Sequence, residues 1–122
     1  MTRIWFEGRW TGANAYIRAE RSNRHQAATI KRDETNAAFY IAQNAHLEPI
    51  TSPCTLHFTW HVKDRRRDID NIGFGAKAII DGMVRAGVFP DDRQKYIVRI
   101  IHDLVIDKNE GVMVELGEGD NE

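Results

Sequence analysis

A chain of 122 residues suits one domain, read here as 1–122, and leaves little room for a second. With 42% hydrophobic and 29% charged residues, a single cysteine and no apolar run of about 18 residues, it falls outside the disordered, disulfide-stapled and helical membrane-spanning classes. The formal net charge of -1 conceals an uneven spread. Arg3, Arg9, Arg18, Arg21, Arg24, Lys31 and Arg32 face only Glu7 and Glu20 near the start, Lys63, Arg65, Arg66 and Arg67 cluster in the middle, and seven acids against one lysine follow from Asp103 onward. That distribution allows one basic face on a nearly neutral protein.

Met1 to Trp10 is charged and lacks the apolar core of a secretory leader, which with the lone Cys54 points to the cytosol. Arg3 to Gly8 alternates, with Ile4 and Phe6 on one side, and predicts a short strand. Gly12 to Asn23 has no clean period and reads as a loop with a helical turn at most. A helix is expected from Asn23, whose side chain can cap it; Ala27, Ile30, Ala37, Ala38, Ile41 and Ala45 fall near one face. Pro49 and Pro53 punctuate the segment after it. Cys54 to Lys63 predicts a strand, with Leu56, Phe58, Trp60 and Val62 alternating against Thr55, His57, Thr59 and His61.

After the charged stretch Asp64 to Asp70, one helix is expected from Asp70 or Asn71 to Ala86, closed by Gly87. Ile72, Ala76, Ile79, Ile80 and Met83 form its buried stripe, and Lys77, Asp81 and Arg85 lie on another face. Gly73 and Gly75 weaken its first turns by about 1 kcal/mol each relative to alanine, and mark either a close approach or an irregular start. Val88 to Asp92 reads as a turn, Lys95 to Ile106 as a long strand, Val112 to Leu116 as another, and Asp107 to Gly111 as the turn of a hairpin joining them. Gly117 to Glu122 is expected to fray.

The candidate chemistry lies between Asp64 and Asp92. In extended geometry Asp68 and Asp70 point the same way. A helix of about sixteen residues spans roughly 24 Å, so Asp91 and Asp92 join them only if the chain doubles back after Gly87 or a second subunit supplies them. Converging carboxylates suit magnesium, a hard ion that prefers oxygen, able to activate water and stabilise a leaving oxygen. Lys77 could stabilise the same charge. Arg65, Arg66 and Arg67 offer forks that match phosphate oxygens. The plain structural alternatives are helix caps for Asp68 or Asp70, turn residues for Asp91 and Asp92, and an exposed charge ladder from Lys77 to Arg85.

The string Asp64-Arg65-Arg66-Arg67-Asp68-Ile69-Asp70-Asn71-Ile72, followed by Ala86-Gly87-Val88-Phe89-Pro90-Asp91-Asp92, resembles the signature of RusA-type Holliday-junction endonucleases: a basic run, Asp-x-Asp-Asn, a helix, Ala-Gly and an aromatic, then paired aspartates. Asn14 to Arg24 is similar to the N-terminal segment of phage-encoded members. The resemblance implies a mixed α/β (α+β) fold, one small mixed sheet packed with about two main helices. It implies Asp68, Asp70 and Asp92 as metal ligands, Asp91 as a neighbour, Lys77 as the catalytic lysine and Asn71 as a loop-steadying residue. Magnesium, or manganese in its place, would be the cofactor. Branched DNA would be held by Lys63, Arg65, Arg66, Arg67, Asn71, Arg18, Arg21, Arg24 and Tyr16. A homodimer would place two symmetric nicks across a four-way junction, in a bacterial host's cytoplasm at the nucleoid. The sequence departs from the compact form of the family in one place: the interval from Asn71 to Lys77 is longer by three residues.

Other features carry less. His57 and His61 on one strand stand about 13 Å apart, too far to share an ion. Trp60 fits the core alternation, and Trp10 is the better surface candidate for stacking on bases. Cys54 reads as a packed thiol. Two rival functions use the same residues: a catalytically silent DNA-binding or scaffold protein of phage recombination or packaging, and a nuclease less selective for junctions.

Overall fold

The computed structural model describes residues 2–118. The chain runs β1 (Thr2–Glu7), α1 (Ala13–Ser22), α2 (Arg24–Asn44), β2 (Cys54–Val62), α3 (Ile69–Gly73), α4 (Ala76–Arg85), β3 (Ile97–Ile106) and β4 (Gly111–Glu118). The fold is α+β: four strands form one mixed sheet in the order β1-β4-β2-β3, with the helices packed against it. No helix among the described residues is long and apolar enough to cross a membrane.

The alternation of β2 is realised in full. Cys54, Leu56, Phe58, Trp60 and Val62 are buried, and the residues between them are only partly so. Ile4 and Phe6 from β1 and Val112, Val114 and Leu116 from β4 join them under α2 and α4, through Ala38, Ala42, Ile79 and Met83. Asn23 caps α2 as expected, accepting from the backbone N–H of His25 at 2.9 Å and of Gln26 at 3.3 Å. Beyond α4, Gly87 has φ 83° and lets the chain turn back: its N–H donates to Val84 O at 2.9 Å and that of Val88 to Met83 O at 2.9 Å, the paired bonds of a left-handed helix stop.

Five expectations need correction. Between Gly12 and Asn23, which flank it, the chain forms the helix α1 (Ala13–Ser22) rather than a loop: its Ala, Arg and Glu residues are good helix formers, and Ala19 is buried. The single helix from Asp70 to Ala86 is two, broken around Phe74 and Gly75. Phe74 and Gly75 keep right-handed angles, but the backbone there tightens to bonds three residues back, Gly75 N to Ile72 O at 3.1 Å and Lys77 N to Phe74 O at 3.2 Å; glycine is needed because a β-carbon on Gly75 would lie 2.9 Å from Trp10 Cβ and one on Gly73 3.3 Å from the His102 ring. Trp10 is core, 6% exposed, with its indole N–H donating to Phe6 O at 3.4 Å.

The fourth concerns the sheet. β3 and β4 form no hairpin. β3 runs parallel to β2, while β4 lies antiparallel to both β1 and β2. Asp107 N still bonds to Val62 O at 2.9 Å beside β2, yet Gly111 already pairs with His61 and Glu7 on the far side. The link between them therefore crosses the end of β2, two strand spacings or about 10 Å, which a few extended residues span. The placement follows burial: Val112 and Val114 are fully buried inside the sheet, whereas β3 carries His102 in its core-side row and takes the edge. Gly117 and Glu118 belong to β4 rather than a frayed end, and 119–122 lie outside the described residues.

Candidate active site

The acidic stretch leaves the end of β2 and enters α3. Asp68 stands just before α3 with an extended backbone (φ -73°, ψ 154°), and its carboxylate makes no capping bond. Asp70 is already in the first turn, its Oδ1 accepting from Asn71 N at 2.8 Å. The pair does not run as an extended strand, so the two side chains leave a helical start and not one side of a strand. Both are exposed. Asp70 lines a shallow pocket with Ile69, Gly73, Phe74 and His102.

Downstream the chain does double back. Lys77, in the first turn of α4, donates to Asp81 Oδ1 at 3.2 Å and to Asp92 Oδ2 at 3.5 Å. Partial burial pulls the Lys77 pKa down, but the bonds and charges of Asp81 and Asp92 outweigh it and hold the ammonium above the ordinary lysine value. Asp91 is engaged elsewhere. Arg93 grips it through its backbone N–H at 2.9 Å and its guanidinium at 2.8 Å, and these bonds lower the Asp91 pKa. Among the described residues no three His, Cys, Asp or Glu side chains stand close enough together to hold a metal ion. Asp68 and Asp70 open to solvent at α3, and Asp92 is tied to Lys77. All three offer carboxylate oxygens, the donor type of magnesium and manganese.

Asn71 has a specific task. α1 begins at Gly12, which has no side chain to cap it, and Asn71 Oδ1 accepts from Asn14 N at 2.8 Å in its place. A β-carbon at Gly12 would stand 2.7 Å from that same oxygen, so glycine is what lets the two segments meet. Asn71 thereby joins the acidic turn to the helix that carries Tyr16, Arg18 and Arg21. Arg18 and Arg21 are exposed and border one shallow groove with Asn14, Ile17 and Ser22, and Arg24 is exposed where α2 starts. Tyr16 leans on Phe74, ring centroids 5.2 Å apart, and both line a cavity with Lys77 and Lys31.

The central basic run is divided. Lys63 and Arg67 both turn toward Glu110, each at 3.8 Å, and Arg66 toward Asp64 at 3.9 Å. Burial lowers the Arg67 pKa, helped by Arg9. Among the described residues Arg65 makes no ion pair within 4.0 Å. The residue that sequence reasoning missed is His102. It lies in the core-side row of β3, accepts from Trp60 Nε1 through Nδ1 at 2.9 Å, and borders the Asp70 pocket; burial lowers its pKa. A polar side chain in a row otherwise filled by Ile100, Leu104 and Ile106 was the available signal. His57 and His61 line the opposite face, as expected, bonded to Asp103 at 2.6 Å and Asp107 at 2.9 Å.

Exposed carboxylates at a strand-to-helix turn, a helix of exposed arginines tied to the same turn, and a lysine paired with Asp81 and Asp92 on the helix that follows are groups suited to the phosphodiesters of nucleic acids. The sequence model of the RusA endodeoxyribonuclease family matches residues 10–117, so the chain belongs to that family and is a structure-specific endodeoxyribonuclease. The match spans all but the ends of the chain and includes every candidate site residue. A comparison with curated proteins finds no match.

Proposed function

We propose that residues 1–122 act as one endonuclease domain that resolves four-way and other branched DNA by paired symmetric nicks, with magnesium or manganese as cofactor and two copies acting together. Asp68, Asp70 and Asp92 are the carboxylates that would hold the cation, with Asp91 behind them. A bound divalent cation supplies an activated water and positive charge at the scissile phosphate. Lys77, kept charged by Asp81 and Asp92, is available to stabilise the leaving oxygen. Arg65 with Arg18, Arg21 and Arg24 offers the phosphate forks; Lys63, Arg66 and Arg67 join them where DNA displaces their acidic partners, and Tyr16 borders the same side.

The observation that carries the reading is the return of Asp92 to Lys77, 3.5 Å away. Asp92 thereby lies beside the first turn of α4, the helix that follows Asp68, Asp70 and α3 in the chain, and this supports the reading. The test is cleavage of a labelled four-way junction, with and without magnesium, beside duplex and single-strand controls. Asp70→Asn is expected to slow cleavage by at least about 100-fold, the scale of losing one charge-stabilising group, while junction binding stays equal or tightens because repulsion of phosphate is removed. Wild-type cutting by Asp70→Asn would overturn the metal assignment. Tight binding without nicks would favour a silent DNA-binding scaffold, and equal cutting of all substrates a less selective nuclease.

A further inference from the structure

β3 pairs only with β2 among the described residues, so its other backbone edge is open. The strand runs from Ile97 to Ile106 without a proline, and its only charged carboxylate and guanidinium are Asp103 and Arg99. Long open edges are usually blunted by several charges, a proline or a covering loop. This one instead exposes Val98, Ile100, Leu104, Val105 and Ile106, each about two-fifths accessible. Register fixes its faces. Ile100, His102 and Leu104 lie opposite Leu56, Phe58 and Trp60 on the core side, and Arg99, Ile101 and Asp103 lie opposite Thr55, His57 and Thr59 on the outer side.

We infer that β3 is the surface through which two copies of this chain join, antiparallel and centred on Ile101, into one continuous eight-stranded sheet. The two-fold geometry leaves few registers. Residues opposite each other across the axis must share a face, so the centre falls on a residue. Centred on Ile101, Arg99 of each copy lies opposite Asp103 of the other, and the attractive pair forms twice. Centred on Ile100 or His102, both charges face apolar side chains. Centred on Arg99 or Asp103, like charges meet head on, which is unfavourable in a sheet. Arg99 makes no ion pair within 4.0 Å among the described residues, and the Asp103 side chain, although bonded to His57, remains 62% exposed.

The inference rests on the two-copy reading above and adds to it a surface and a register. It also has a consequence for the site. The two His102 Cα atoms would stand about 8 Å apart, from two residues of strand rise and one strand spacing. The two Asp70 pockets, each bordered by its His102, would open on the same side of the joined sheet.

The test uses the full chain in sedimentation velocity across a dilution series, with Arg99→Asp, Asp103→Arg and the double exchange. Each single reversal sets two like-charge pairs across the axis and is expected to weaken self-association at least about tenfold; the double exchange restores it. A second measurement does not depend on those variants folding. Cys54 is buried, so Ile101→Cys adds the one accessible thiol among the described residues, and mild oxidation should link it to its counterpart across the axis. Arg99→Cys, with its counterpart about 13 Å away along the strands, should not cross-link. A wild-type chain monomeric at every concentration would overturn the two-copy reading and this interface together. A stable dimer indifferent to both reversals and without the Ile101→Cys link would overturn the interface alone.

Discussion

β2 and β3 are neighbours, parallel, similar in length and both rich in β-branched and apolar residues, yet they end in opposite environments. Every second residue of β2 is buried, and the partly exposed ones between are Thr and His. In β3 only Ile97 is buried. The difference comes from position. β2 has a strand on each side and shares the core with residues of α2 and α4, whereas β3 has a strand on one side and meets α3, where Gly73 approaches His102. Apolar content marks what a strand can bury, and its place in the sheet decides what it does bury. The surplus on β3 lies beside the acidic turn, so the least saturated packing and the candidate chemistry share one side of the molecule.

The sharpest break of this comparison is a matched truncation. Leu56→Ala, at 0% exposure, is expected to cost about 2–5 kcal/mol, as buried leucines do. Leu104→Ala, at 38%, should cost under about 1 kcal/mol in the dilute chain. Urea unfolding at low protein concentration measures both, and equal losses would mean that the core depends on β3 as heavily as on β2.

Next in size is the joint between the two regions. Asn71→Ala removes the acceptor at the start of α1 and is expected to cost about 1 kcal/mol, the usual worth of a helix cap. Faster hydrogen exchange at the Asn14 amide would localise the loss, and an unchanged amide would remove Asn71 from that role.

The smallest effect concerns His102, where the β3 row meets the core. Burial lowers its pKa from the ordinary value of 6.5, so the folded chain takes up this proton less readily than the unfolded one. Its contribution to stability is therefore present above about pH 6.5 and is lost as pH falls through the lowered pKa. His102→Gln keeps an acceptor for Trp60 and should flatten thermal stability between about pH 7.5 and 5 relative to wild type. Identical slopes would assign the acid sensitivity to other groups. The carboxylate of Asp107, lowered by its bond to His61, loses its contribution only in the acid range below that window.

Local features were legible in the sequence. The Asn23 cap, the body of α2, the alternation of β2 and the Gly87 stop all follow from residues within a few positions of one another. The string from Asp64 to Asp92 carried the family resemblance without any knowledge of its shape. What escaped depends on distant partners. α1 has no broad apolar stripe and takes its first hydrogen-bond acceptor from Asn71. Trp10 is drawn into the core beside Gly75. The separation of β3 from β4 arises because β4 fills the place between β1 and β2, which no turn signal at Asp107 can announce. Asp91 and Asp92, equivalent on paper, part company only when Arg93 takes one and Lys77 the other.

The order β1-β4-β2-β3 has a kinetic side. Thr2 is paired with Leu116, so the sheet closes through contacts between the first and last strands. Such non-local pairing makes for slow folding. Until β4 arrives, β2 has an open flank along its most apolar strand, the one carrying Leu56, Phe58 and Trp60. During synthesis that flank waits for almost the entire remainder of the chain, and an unpaired apolar edge of this kind is where a nascent chain is open to wrong pairing.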